Sequence, residues 1–189
     1  MKTLIPLLIT SLLFALQQDN PRIETLYDRF ADATSVTLTS DLGRKGVVDL
    51  GGGSVYAPPG SNEAHVYFNI IGVVDGTEPK RGMPKVTIAF TSTSEDWIYL
   101  KQTNTLRFIL NGTERLNLGV MSRGASEVMH KSGVIEQIAL IVPFAVIQKL
   151  ANSTKVEMQV SSDEFQLTQE QLADMKDWVS RFSATTLKK

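Results

Sequence analysis

An α+β domain built mainly of antiparallel β-structure is the fold class this sequence predicts: a sandwich or partly open barrel of about eight strands, with an N-terminal and a C-terminal helix packed on it. Three observations predict it. Apolar residues alternate with hydroxyl or charged ones through several short segments, the period of a half-buried strand. Gly, Pro and Asn-Gly punctuation separates those segments. Helical spacing of apolar residues is confined to short stretches near the start, after Pro143 and at the end.

The chain opens with Lys2 and an apolar run of about 13 residues over 4–16, followed by Gln17, Gln18 and Asp19. A basic start, a short greasy stretch and a small residue, Ala15, before polarity returns is the layout of a secretory signal peptide. The run falls short of the ~20 residues that span a bilayer, and Pro6 inside it opposes a long regular helix. Cleavage near Ala15 is the expectation, leaving residues 16–189 as one exported, periplasmic or extracellular domain. Leu13 meets the small-residue cleavage rule poorly, so a retained anchor and a buried core helix stand as the alternatives. Cysteine is absent, which removes both a lipid-bearing thiol and disulfides. A domain of this kind is held by its core, a pattern that fits a bacterial exported protein better than a small disulfide-rich module.

After Asn20 as cap and Pro21 at the first helical position, Ile23, Leu26, Tyr27, Phe30 and Ala31 recur at helical spacing and predict a helix over 21–32. Val36 and Leu38 alternate with hydroxyl residues, a strand over 35–39. Residues 41–64 hold Gly43, Gly46, Gly51 to Gly53 and Pro58-Pro59-Gly60 and read as irregular, with short edge strands at 47–50 and 55–56. Strands follow at 65–74, 84–91 and 97–101. Asn111-Gly112 is the strongest hairpin signal. Because register follows the buried face, a three-residue loop over 110–112 with Gly112 left-handed is favoured over a two-residue turn. Residues 134–142 are nearly all apolar and predict a central strand covered on both sides. Pro143 opens a helix in which Phe144, Ile147, Leu150 and Ala151 share a face, ending near Asn152. Strands at 156–160 and 165–167 precede a capping box of Thr168 and Gln171. That box starts a final helix over 168–183 whose stripe is Leu172, Met175, Val179 and Phe182, with Trp178 at the margin.

The C-terminal third, with Val142-Pro143-Phe144, the strand 156–160 and Phe165-Gln166-Leu167-Thr168, resembles a pattern in exported bacterial β-rich domains that belong to no named family. The resemblance implies one fold unit and a bacterial origin. It carries no activity and no site residues.

Charge excludes one broad class. With 19 basic against 20 acidic residues the chain has a net charge of −1, without the basic stripe of a nucleic-acid binder. The pairs Arg44-Lys45, Lys80-Arg81 and Lys188-Lys189 read as solvated charges. His65 and His130 are the two histidines, and without cysteine or a paired His spacing they do not make a metal site. Ser126 lies four before His130, but no nucleophile elbow surrounds a serine. Gly51-Gly52-Gly53-Ser54 is followed by Val55 to Pro59 rather than by the helix a phosphate cradle requires. Glu95-Asp96 is an adjacent acidic pair, and a glycosidase needs carboxyls that face each other across a cleft. Trp97 and Tyr99 share one strand face, which is either core or an outward face for sugar stacking or an interface, and Trp97 is assigned to the core. The sequons at Asn111 and Asn152 read as incidental. No catalytic residue, metal or cofactor follows from the sequence, and the ligand-binding residues stay undetermined. The function expected is that of a non-catalytic exported domain binding a protein, a cell-envelope component or a small ligand. A structural subunit of an extracellular assembly, self-associating through 41–64, and a hydrolase without a recognisable motif are the alternatives.

Overall fold

A computed structural model describes residues 22–44, 65–78, 84–94, 97–129 and 133–182. Ten strands and two helices run through them: β1 Ile23–Asp28, β2 Ala33–Arg44, β3 His65–Asp75, β4 Lys85–Ser94, β5 Thr105–Leu110, β6 Glu114–Val120, β7 Ser122–Met129, β8 Gly133–Val142, α1 Phe144–Ala151, β9 Val156–Val160, β10 Asp163–Gln166 and α2 Gln169–Ser180. The strands form two sheets, β1-β2-β3-β4-β8-β7 and β10-β9-β5-β6, with every pairing antiparallel. The architecture is the expected α+β sandwich, and it is not a closed barrel.

Alternation decides what each sheet buries. Val36 and Leu38 on β2, Val66, Phe68 and Ile70 on β3, Val86, Ile88 and Phe90 on β4 and Ile138 on β8 point inward from the larger sheet. Leu106, Phe108 and Leu110 on β5 with Val156, Met158 and Val160 on β9 oppose them, and all belong to one core cluster. The helices complete that core. Phe144, Trp178 and Phe182 form an aromatic group with ring centroids 4.7 to 6.2 Å apart. This group lies on the backbone of β3 at Gly72, where an added Cβ would come within 2.6 Å of Phe182 Cζ and 2.8 Å of Trp178 Cζ2. Trp178 Nε1 donates to the Val36 carbonyl at 3.0 Å, tying α2 to β2.

The outer face of the larger sheet is built from transverse rows fixed by register. Thr37, Ile71, Thr87 and Ile141 stand side by side across β2, β3, β4 and β8. Thr39, Asn69, Ala89, Ala139 and Ser122 make the next row. Thr39 Oγ1 donates to Asn69 Oδ1, and Asn69 Nδ2 and Gln137 Nε2 both donate to Thr91 Oγ1.

Several expectations are corrected. Residues 23–28, within the predicted N-terminal helix 21–32, form an edge strand, so that helix is absent. Six register pairs join β1 to β2, and Asp28 Oδ1 accepts from the amides of Phe30 and Ala31 to close the turn. A twelve-residue helix is marginal alone, and the ladder offered by β2 outweighs it. The helical stripe is left in solvent as a result: Leu26 is 62% and Phe30 85% exposed. Residues 97–101 form no strand. The strand β7, which no alternation announces, is present. On β8 only one face is buried, and Ile141 on the other is 78% exposed. The hairpin loop has the expected three residues but spans 111–113, with Asn111 and Gly112 both left-handed and Phe108 opposite Leu116. The C-terminal helix keeps its capping box, while Trp178 rather than Val179 occupies the centre of its buried face. The strands expected at 47–50 and 55–56 and the segment 1–15 lie outside the described residues.

Candidate functional site

The outer face of the smaller sheet carries the side chains that the core leaves over. Leu106, Phe108 and Leu110 point inward, so Arg107 and Ile109 must point outward, and the same alternation sends Glu157 and Gln159 of β9 to that face. Register then sets two rows across the four strands. Asn117, Arg107, Gln159 and Glu164 form one, and Arg115, Ile109, Glu157 and Gln166 the other. Together they line a concavity of about 740 Å³. Its cations stand on β5 and β6, its carboxylates on β9 and β10, and Ile109 lies between.

Few of these groups are saturated. Arg107 Nη1 donates to Gln159 Oε1 at 3.3 Å, and Gln159 Nε2 donates to Glu164 Oε1 at 3.2 Å. Glu157 pairs with Lys155. Arg115 is exposed and makes no ion pair among the described residues. Glu157 and Glu164 are diagonal neighbours on one sheet face instead of facing each other across a cleft, an arrangement suited to holding a ligand and not to paired acid-base work.

The shelf is rigid because its hairpin is stapled. Asn111 Oδ1 accepts from Thr154 N, Thr154 Oγ1 and Lys155 N, and Asn111 N donates to the Lys155 carbonyl. Lys149 on α1 reaches Glu114 at the start of β6. Asn111 is thus engaged internally, and Asn152 caps the end of α1.

A second polar centre lies inside the molecule. Glu136 on β8 is fully buried. Its Oε1 accepts from Ser92 Oγ, Ile98 N and Tyr99 N, and its Oε2 from Leu100 N, at 2.8 to 3.0 Å. Successive amides wrapping an anion form a backbone nest, which is why 97–101 bends instead of extending. Arg123 donates to the Leu100 carbonyl and Asn104 to that of Tyr99, closing the loop from both sides. Burial raises the Tyr99 pKa above the ordinary tyrosine value, and the Asp163 carboxylate adds to the shift. All four donors to Glu136 come from the chain itself, so the centre is architectural.

The other sequence candidates are dispersed. His65 sits on the outer face of β3 beside Tyr67, its Nε2 2.8 Å from Asp41 Oδ1. Tyr99 is buried, while Trp97, expected in the core, is half-buried at the rim of the nest. His130, the triple glycine and Glu95-Asp96 lie outside the described residues, and of Ser126 only the backbone, in β7, is described. Among the described residues no group of three or more His, Cys, Asp or Glu side chains is placed to hold a metal. None of the described helices is long and apolar enough to cross a membrane.

Sequence reasoning missed both polar centres. Arg107, Glu157 and Gln159 are legible as outward positions once their strands are recognised, but the rows they form depend on which strands are neighbours. Glu136 interrupts an apolar segment, and that single acidic residue was the signal. No family model, curated protein or solved structure matches the chain.

Proposed function

We propose that the protein is a non-catalytic exported binding domain that holds a small zwitterionic, peptide-like ligand on the outer face of its smaller sheet. One observation carries the reading: a concave face on which Arg107 and Arg115 stand beside Glu157 and Glu164, with amide side chains and Ile109 between them. Guanidinium groups match carboxylates in geometry and charge, and the carboxylates match an ammonium. A ligand with both charges and an extended polar backbone satisfies the two halves at once. Export rests on Lys2 and the apolar run before Gln17.

Titration with short peptides bearing free termini, followed by amide chemical shifts, tests the site. Shifts should concentrate at residues 107–109, 115–117 and 157–166 and should weaken with salt, because exposed charges are screened. Arg115→Ala and Glu157→Gln should each lower the affinity about tenfold, the ~1.4 kcal/mol expected of one charge-assisted contact. Shifts elsewhere, or affinity untouched by both substitutions, would overturn the reading. N-terminal sequencing of protein recovered outside the cytoplasm should begin near Leu16, and a retained Met1 would count against cleavage.

A further inference from the structure

The charges of the shelf are ordered, and their order sets the direction and length of what it can hold. In the row Arg115, Ile109, Glu157 and Gln166 the cation stands on β6 and the carboxylate on β9. In the row Asn117, Arg107, Gln159 and Glu164 the cation stands on β5 and the carboxylate on β10. Each cation is two strands from the carboxylate of its row, and both rows point the same way, so the axis from positive to negative runs across the strands. The rows differ in how far they are engaged. Arg107, Gln159 and Glu164 are bonded to one another through the Gln159 amide. Arg115 makes no ion pair among the described residues, and Lys155 takes only Oε1 of Glu157, which leaves Oε2 as an acceptor.

We infer that the ligand is a dipeptide with an apolar side chain, lying across the strands with its carboxylate on Arg115 and its ammonium on Glu157, a reading that rests on the shelf's being the ligand site. Length follows from strand spacing. Two spacings of about 4.8 Å separate Arg115 from Glu157 by about 9.6 Å. A charge-assisted contact of about 2.8 Å at each end leaves about 4 Å for a ligand held in line between the two heads, and a ligand seated above the heads reaches about 9.6 Å. At ~3.3–3.6 Å per extended residue a free amino acid spans at most about 3.5 Å, a dipeptide about 7 Å and a tripeptide about 10.5 Å. Only the dipeptide falls inside the window.

The side chain follows from what lies beneath the middle of that row. Successive side chains of an extended backbone point to opposite sides, so one side chain of the dipeptide meets the sheet. Ile109, half-buried between Arg115 and Glu157, is the surface it meets. Covering it removes apolar area from water, which favours an apolar side chain over a hydrogen.

Titration of the protein with alanine, dialanine, trialanine and tetra-alanine, followed by amide chemical shifts, reads the length. Dialanine should bind about tenfold tighter than alanine or tetra-alanine, the loss of one charge-assisted contact, and tighter than trialanine. Acetylated dialanine should bind the wild type and Glu157→Gln equally, and dialanine amide the wild type and Arg115→Ala equally, because each blocked end lacks the charge that the replaced side chain recognises. Divaline should exceed diglycine about fivefold in the wild type and by less than half of that in Ile109→Thr, which keeps the branched Cβ suited to a strand. Shifts absent from residues 107–117 and 157–166 with every peptide would overturn the shelf as the ligand site, and the dipeptide with it. Shifts at the shelf with an affinity indifferent to length, or highest for the longer peptides, would overturn the dipeptide and leave the shelf standing. Blocked-end effects exchanged between Arg115 and Glu157 would overturn the direction, and a valine preference unchanged in Ile109→Thr would overturn the side-chain contact.

Discussion

Glu136 shows how one residue decides a loop. A fully buried carboxylate is costly unless donors replace its water, and four do so here. Removing it leaves three backbone amides without their acceptor, so Glu136→Ala should destabilise the protein by about 3 to 5 kcal/mol, each buried orphan contributing 1 to 3 with some relaxation. Glu136→Gln keeps an acceptor for the Ile98 and Tyr99 amides but turns an NH₂ toward Leu100 N, for a loss of about 1 to 3 kcal/mol. Urea melts of the two variants check the order, and a Gln variant as damaging as Ala would show that the charge, not the hydrogen-bond geometry, holds the loop. Arg123 and Asn104 grip the same loop through carbonyls. Their truncation should cost less than removal of Glu136, since the nest amides remain paired.

At the scale of elements, strands with clean alternation were legible from sequence because each buries one face: β3, β4, β9 and the start of β2 fall where alternation places them. The Thr168 and Gln171 box was legible too, being a local interaction. What failed depends on partners far along the chain. The stripe of Ile23, Leu26, Tyr27 and Phe30 has helical spacing, yet β2 supplies a ladder that no local pattern reveals. Trp97 to Leu100 have strand-like composition, yet Glu136, 36 or more residues away, claims the amides of Ile98, Tyr99 and Leu100. The shelf was illegible for the same reason, since Arg107 and Gln159 meet only through the β5 and β9 pairing. Helix α2 offers the sharpest test at this scale. Trp178→Ala should cost about 3 to 5 kcal/mol, as large-to-small changes at fully buried aromatics do, and Thr168→Ala about 1 kcal/mol through the lost cap. Val179→Ala, at a half-buried position, should cost less than Trp178→Ala, and Gly72→Ala should be severe because its Cβ has no room under Phe182. Denaturant midpoints in any other order would mean that α2 does not dock through the aromatic group.

The whole molecule is organised by one core that both sheets and both helices share. The two ends of the described chain are joined as well: Arg22, just before β1, pairs with Asp174 and Glu170 of α2 at 2.7 and 2.9 Å. The Glu170 pair is exposed and contributes little, the part-buried Asp174 pair adds one local contact, and the shared apolar core rather than the clamp makes the parts interdependent. The chain should therefore unfold in a single cooperative step. Its two tryptophans report from separate places, Trp178 within the aromatic group on β3 and Trp97 at the rim of the Glu136 nest. Fluorescence of the wild type and of a Trp97→Phe variant, each set against far-ultraviolet circular dichroism in the same urea series, should give coincident midpoints. Trp178 emission changing before the β signal would mean that α2 leaves as a unit of its own, as sub-global openings do when few apolar contacts bind an element. That outcome would contradict a common core, because Trp178, Phe182 and Phe144 would then be dispensable to the strands they cover, and Gly72 would have no structural reason to lack a side chain.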